Sequence, residues 1–561
     1  MTSVFKTCCL YYGHGFGGLW IAENLVAILN DRMVAANSAV VHRVIRREAV
    51  RRFYGVTLIM LSLRGVAVAD DALPMPGSVD PKPLAAEIDE ALSATGATPC
   101  DDWTLIRRVT LDRLGRIPAV SEIRDFIDSD AFADSDASML SGASMISDVG
   151  SRREALVEWL ARDPGDYASA GNVEAAGRLA DYWTSVLSPS SVESGPSAVG
   201  LRDWLSVQFQ TGRTFDQIGK DLVAPESEGG RALISATGGT TAAYTTAISR
   251  GLLGVRMDCA QCHDHPFAEW KMSDFWGLAA YFGDVSRGGS PRGVIRHEGI
   301  RYRSKPLDAP ETSAGTGPAI GAWLTDVDNP YFAANFVNRT LQNYVGRGVV
   351  RSVADLDAAA DEQIEPLRNI GRRFAASGYR IEDFLHAVMM TDAYAATIDS
   401  VDAINREPVG FQRQVKVLSP RQLFASLEQA LGLPVGRIDR DSARYNGLGQ
   451  LMTDRLARAT DEDPTRYVAG VPQALLMMNG PVTQRAVSTR GRLLAAVADA
   501  PFFETMDDRI DALFLATLSR PPGDDERRDL HAIRDDGVGD AEFLSDLLWT
   551  LLNSPEMVLC R

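Results

Sequence analysis

Apolar residues recur along this chain at helical spacing far more often than they alternate. Leu105, Ile106, Val109 and Leu114 fall on one face, and Gly115 and Pro118 end the run. Ile381, Phe384, Leu385 and Val388 repeat the pattern. Near the C-terminus Phe543, Leu544, Leu547, Leu548, Leu551 and Leu552 form a continuous stripe that stops at Asn553-Ser554-Pro555. Each stripe predicts a helix with its apolar face in a core. Alternating runs are few, and 296–304 is the best short strand candidate. The expected fold class is therefore mainly α, with two multi-helical domains and long irregular linkers.

Composition places the linkers. Residues 130–150 are rich in Ser, Ala, Asp and Gly, 188–200 in Ser, Pro and Gly, and 225–242 in Gly and Thr. The stretch 286–328 has weak periodicity and many Gly and Pro residues, which marks it as the boundary between the helical domains. The organisation expected is an N-terminal extension with signal peptide over 1–69, a linker over 70–97, one domain over 98–285, an interdomain linker over 286–328 and a second domain over 329–561. No internal repeat stands out.

Charge narrows the possible partners. The 561 residues carry 74 acidic and 57 basic side chains, a net charge of −17. Such a surface has no basic excess with which to bind nucleic acid or an anionic membrane. The exception is 1–69, where Arg46, Arg47, Arg51 and Arg52 precede a short apolar run that ends at Arg64. Ala67-Val68-Ala69 then offers a small-x-small cleavage site, the three parts of a secretory signal peptide. The run is too short for a stable membrane span. The mature chain is expected to be soluble and periplasmic or secreted. Cleavage after Ala69 leaves Cys100, Cys259, Cys262 and Cys560, too few for a disulfide scaffold, although Cys100 and Cys560 remain a candidate pair.

The candidate chemistry lies at Cys259-Ala260-Gln261-Cys262-His263, followed by Asp264-His265-Pro266. Two thiols three positions apart with an adjoining histidine form the attachment signature of c-type haem. Cys259 and Cys262 would form the thioethers and His263 would bind the iron, on a helical turn over 257–263. His297, His386 and Met272 are the candidates for a second axial ligand, and five-coordinate iron is the alternative. A second reading makes Cys259, Cys262, His263 and His265 ligands of zinc or iron, with Asp258, Asp264 and Glu269 orienting the imidazoles. A third makes Cys259 and Cys262 a disulfide or redox pair. Trp270, Phe275, Trp276, Tyr281 and Phe282 read as core more readily than as a cofactor cage. No catalytic constellation is evident, so whether the chain is an enzyme stays open.

Several segments resemble a known family. Arg107-Arg108-Val109-Thr110-Leu111-Asp112-Arg113-Leu114-Gly115-Arg116-Ile117-Pro118, the motif at Cys259, and Asp274-Phe275-Trp276-Gly277-Leu278 look like the second-type planctomycete cytochrome-C-like domain. Asn329-Pro330-Tyr331-Phe332-Ala333, Phe336-Val337-Asn338-Arg339, Gly346-Arg347-Gly348 and Ser419-Pro420-Arg421-Gln422-Leu423 resemble its companion, the planctomycete secreted domain. Asn479-Gly480 and Leu552-Asn553-Ser554-Pro555-Glu556 do so as well. The resemblance implies an exported bacterial protein of unestablished activity, with a redox partner or a co-secreted protein as its companion. Covalent haem for electron transfer or redox chemistry is the first expectation. The alternative is a non-catalytic structural or binding protein, with metal or a disulfide at the motif, linked to extracellular polymer breakdown.

Overall fold

Helices form wherever the stripes place them. The computed structural model describes residues 80–127, 153, 155–157, 168–188, 196–287, 293–307, 319–432 and 471–560, apart from 267, 354, 357–358, 399–410, 412, 489–490, 502 and 536. The signal peptide expected over 1–69 and the linker over 130–150 lie outside them. The described helices before the hairpin are α1 (Lys82–Leu92), α2 (Asp102–Arg113), α3 (Val120–Ile127), α4 (Ala168–Leu187), α5 (Pro196–Gln210), α6 (Phe215–Leu222), α7 (Glu228–Ala236), α8 (Thr241–Gly251) and α9 (Met272–Phe282). A hairpin of β1 (Val294–His297) and β2 (Ile300–Arg303) follows. Then come α10 (Ile320–Leu324), α11 (Phe332–Val345), α12 (Asp361–Ala376), α13 (Ile381–Met389) and α14 (Asp392–Ala395). Next are β3 (Lys416–Val417), α15 (Pro420–Leu431), α16 (Val471–Asn479), α17 (Pro481–Ala486) and α18 (Arg492–Asp499). Finally α19 (Met506–Leu518), α20 (Asp524–Asp535), α21 (Asp540–Leu552), α22 (Pro555–Val558) and β4 (Leu559–Cys560) end the chain. The fold is mainly α, and no described helix is long and apolar enough to cross a membrane.

The described parts of three expected linkers are structured. Within 70–97, α1 buries Ile88 and Leu92 in the core. Within 225–242, Ser227 caps α7 by accepting from the Gly230 N–H, and Thr240 caps α8 in the same way. The glycine-rich composition had hidden these starts, because Gly229 and Gly230 serve close packing: a Cβ on Gly229 would lie 2.5 Å from Trp204. Within 188–200, α5 begins at Pro196. The strand candidate at 296–304 folds as two strands. Glu298 and Gly299 both take positive φ, the geometry of a two-residue hairpin turn.

The expected division at 286–328 does not interrupt the core. Trp183 of α4 stacks on Phe336 of α11 at 5.8 Å, Phe215 of α6 lies 4.4 Å from the same ring, and Phe374 of α12 stacks on it at 4.5 Å. Asp80–Arg561 is one compact unit, in which α15, α18, α19 and α21 form a second packed layer.

One helical corner occurs twice. After α2, Gly115 takes φ +76° and Arg116 binds Glu122 through both terminal nitrogens at 2.8 Å. The Ala119 N–H donates to the same carboxylate, and Glu174 accepts from Arg116 Nε. After α19, Ser519 takes φ +65° and Arg520 binds Glu526 at 2.7 and 2.9 Å. Here the Gly523 N–H donates to Glu526, and Glu556 accepts from Arg520 Nε. Leu-Gly-Arg-Ile-Pro and Leu-Ser-Arg-Pro-Pro, each with a Glu six residues after the Arg, are therefore an internal repeat. It escapes the sequence reading because most of the flanking residues differ.

Four buried tyrosines set the alkaline limit of this core. Burial pushes the phenol of Tyr344 up to about 12, and it raises Tyr244, Tyr379 and Tyr394 as well. As pH rises above 10 the unfolded chain releases protons that the folded chain keeps, so stability falls. Tyrosinate absorbance from these groups should therefore appear together with loss of the helical circular dichroism. Their full ionisation near pH 10 in a chain that is still helical would contradict this.

Candidate site at the Cys-x-x-Cys-His loop

The loop is held from beneath by two buried polar residues of α11. Asn335 donates through Nδ2 to the Gly251 carbonyl at 2.7 Å, and Arg339 donates to the Arg250 carbonyl at 2.7 Å and to Asn335 Oδ1 at 3.0 Å. They catch the last carbonyls of α8, groups that a helix end leaves without partners of its own. The chain then passes Gly254, where φ is +68° and a Cβ would meet Asn335 Oδ1 at 2.6 Å. Val255, Met257 and Ala260 are fully buried and pin the following segment. Asn335 and Arg339 were missed as site-forming residues. The Phe336-Val337-Asn338-Arg339 segment signals Arg339 and begins one residue after Asn335.

Asp258–Gln261 form a 3₁₀ turn rather than the full helical turn expected. Side chains three positions apart eclipse one another in such a turn. With Ala260 buried as the anchor, Cys259 and Cys262 both emerge on the exposed side as free thiols. Cys100 and Cys560 are also free thiols.

The two histidines of the motif are set differently. His263 is exposed, and its Nδ1 lies 2.8 Å from the Asp264 carbonyl oxygen. A carbonyl only accepts, so Nδ1 is the donor in this contact and, in the neutral imidazole, Nε2 is the nitrogen left with a lone pair. His265 is turned into its own loop. Its backbone N–H donates to the Trp270 carbonyl, and its Nδ1 accepts from the Ala268 N–H at 3.0 Å. Asp264 accepts from the Met272 N–H at the start of α9, and Asp258 lies 3.7 Å from Arg250 and from Arg256. Cys259, Cys262, His263 and His265 do not converge: among the described residues no three His, Cys, Asp or Glu side chains form a metal-holding group.

α9 carries both the turn and the hairpin. Phe275, Tyr281 and Phe282 are buried core, while Trp270 packs partly buried at its edge. Trp276 does more. Its indole N–H donates to the Gln261 carbonyl at 3.0 Å, and its ring stacks on His297 at 3.9 Å. Tyr302, opposite Ile295 on the hairpin, lies 6.3 Å from the same indole. Burial raises its phenol first, followed by the Glu298 and Asp264 carboxylates. Hairpin, indole and motif thus form one surface. His386 lies instead on α13, which packs on α1 and α11.

Residues 84–287 match the PSCyt2 family and residues 319–425 the PSD1 family, each described as a protein of unknown function (DUF1549 and DUF1553). No curated protein and no solved structure matches the chain. The first match starts at α1, before the expected domain start at 98, and the second ends within α15. The chain belongs to the proteins that carry a PSCyt2 domain followed by a PSD1 domain.

Proposed function

We propose that this is an exported protein that carries one covalent haem c on Cys259, Cys262 and His263 and works in electron transfer. The observation that carries the reading is the contact of His263 Nδ1 with the Asp264 carbonyl. It commits the Nδ1–H, which leaves Nε2 as the exposed lone pair that axial ligation of iron requires. Two free, exposed thiols stand one 3₁₀ turn apart beside it, open to addition across haem vinyl groups. His265 lacks this setting, because its Nδ1 is spent as an acceptor inside the loop. Bound haem would supply the one-electron couple. The protein's own part is to hold two thiols and one imidazole on a single outward edge. The N-terminal signal pattern supports export to a compartment where haem is attached.

The test is an absorbance spectrum of protein produced in an exporting, haem-attaching host. Soret and α bands that survive acid–acetone extraction are expected, and Cys259→Ser should abolish haem staining on a denaturing gel. A colourless protein with stoichiometric zinc would sink the proposal.

A further inference from the structure

We infer that His297, at the tip of the β1–β2 hairpin, is the second axial ligand of the iron; this rests on the haem reading above. Of the ligand candidates in the sequence, His297 and Met272 are built into the surface that holds the motif. The His297 ring lies flat on Trp276 at 3.9 Å with 18° between the planes. The same indole is tied by its N–H to the carbonyl of Gln261, between the two cysteines. A single aromatic ring therefore connects the imidazole to the attachment turn.

The hairpin fixes the position of that imidazole. His297 pairs with Ile300 across the two-residue turn, and Glu298 and Gly299 at positive φ keep the turn tight. Strand alternation puts Ile295 and His297 on one face and Arg296 on the other. The face with His297 and Tyr302 is the one that meets Trp276. His297 is only half-buried, so its edge is reachable. The indole beneath one ring face limits the tilts the imidazole can adopt.

The other candidates fit less well. Met272 begins α9 with its N–H committed to Asp264, and its side chain packs partly buried against the core. His386 belongs to α13, whose main packing partners are α1 and α11. With His263 and His297 both holding the iron, the haem would supply a one-electron couple without an open position, which suits electron carriage rather than binding of oxygen or substrate.

The experiment uses the full-length protein processed and loaded in the haem-attaching host, read by absorbance and electron paramagnetic resonance. The ferric wild type is expected to be low-spin, and the ferrous form should bind carbon monoxide slowly. His297→Ala should keep its haem stain and helical circular dichroism, lose the low-spin signal and bind carbon monoxide readily. His297→Met should restore a six-coordinate spectrum of altered type, whereas Met272→Leu should leave the wild-type spectrum. A haem-bearing His297→Ala protein with an unchanged low-spin spectrum overturns the assignment alone. A wild type without covalent haem overturns the reading on which it rests.

Discussion

Replacing Asp112 by Asn is expected to cost about 3–5 kcal/mol, the loss that follows removal of one partner from a buried ion pair. Asp112 of α2 is buried and accepts from Lys416 Nζ at 2.5 Å and from the Tyr394 hydroxyl at 3.1 Å. Arg413, fully buried, lies 3.9 Å away. Neither Arg413 nor Lys416 has another ion pair among the described residues. Asn keeps the size of the side chain, so the cost reports charge and not a cavity. Burial already holds the Lys416 ammonium below its ordinary value, with Asp112 pulling it back up. Without the carboxylate that depression deepens. A base with a lowered folded pKa binds more protons when unfolded, so stability recovers as pH rises toward the ordinary lysine range. Denaturant midpoints of Asp112→Asn should therefore show the largest deficit near neutral pH and a smaller one in mild alkali. Adding Lys416→Met should recover part of it. A deficit under about 1 kcal/mol, typical of an exposed pair, would contradict the argument.

The helices whose apolar residues repeat regularly were legible because burial on one face leaves a periodic trace. Leu105, Ile106 and Val109 all lie in the core, as do Phe543, Leu547, Leu548 and Leu551. The misread segments share another cause. In α7 and at the start of α8, glycine and threonine serve close packing and capping, and composition alone presents them as linker. The continuous core across 286–328 was hidden for a further reason: Phe336 meets Trp183 and Phe374 from distant stretches of chain, and no local pattern records such contacts.

The candidate site was legible in its ligands and not in its support. Cys259, Cys262 and His263 are a short local motif, so spacing alone exposes them. The difference between His263 and His265 lies in which backbone group each ring meets, and sequence does not encode that locally. Likewise the stack of His297 on Trp276 follows from a hairpin folding back on α9, and Asn335 reaches the loop from α11. Aromatic residues in α9 were correctly read as core for Phe275, Tyr281 and Phe282. Trp276 is both core and a support for the motif.

Arg116→Met is expected to destabilise the protein more than Arg520→Met, by about 3 kcal/mol against about 1, although Arg520 makes one bond more, a second to Glu556. The difference is burial. The Arg116 and Glu122 side chains are 15% and 20% exposed, while Arg520 and Glu526 are 26% and 43% exposed. Water can rehydrate Glu526 once its partner is gone; Glu122 has far less access. Arg116 holds the Glu122 carboxyl below its ordinary value against a burial effect that by itself raises it. That lowered pKa contributes stability above the ordinary carboxylate range, and the contribution is lost as pH falls through the folded value. In Arg116→Met burial is unopposed, so Glu122 takes up a proton in mild acid. The gap between variant and wild type should then be wide at neutral pH and narrow near the carboxylate range. Arg116→Lys should recover little, because an ammonium cannot span both oxygens of Glu122 and also reach Glu174. Thermal or denaturant midpoints of the three variants over that pH range decide it. Equal losses at Arg116 and Arg520, or a gap at Arg116 that does not narrow in acid, would mean that the repeat is held by something other than its buried charge.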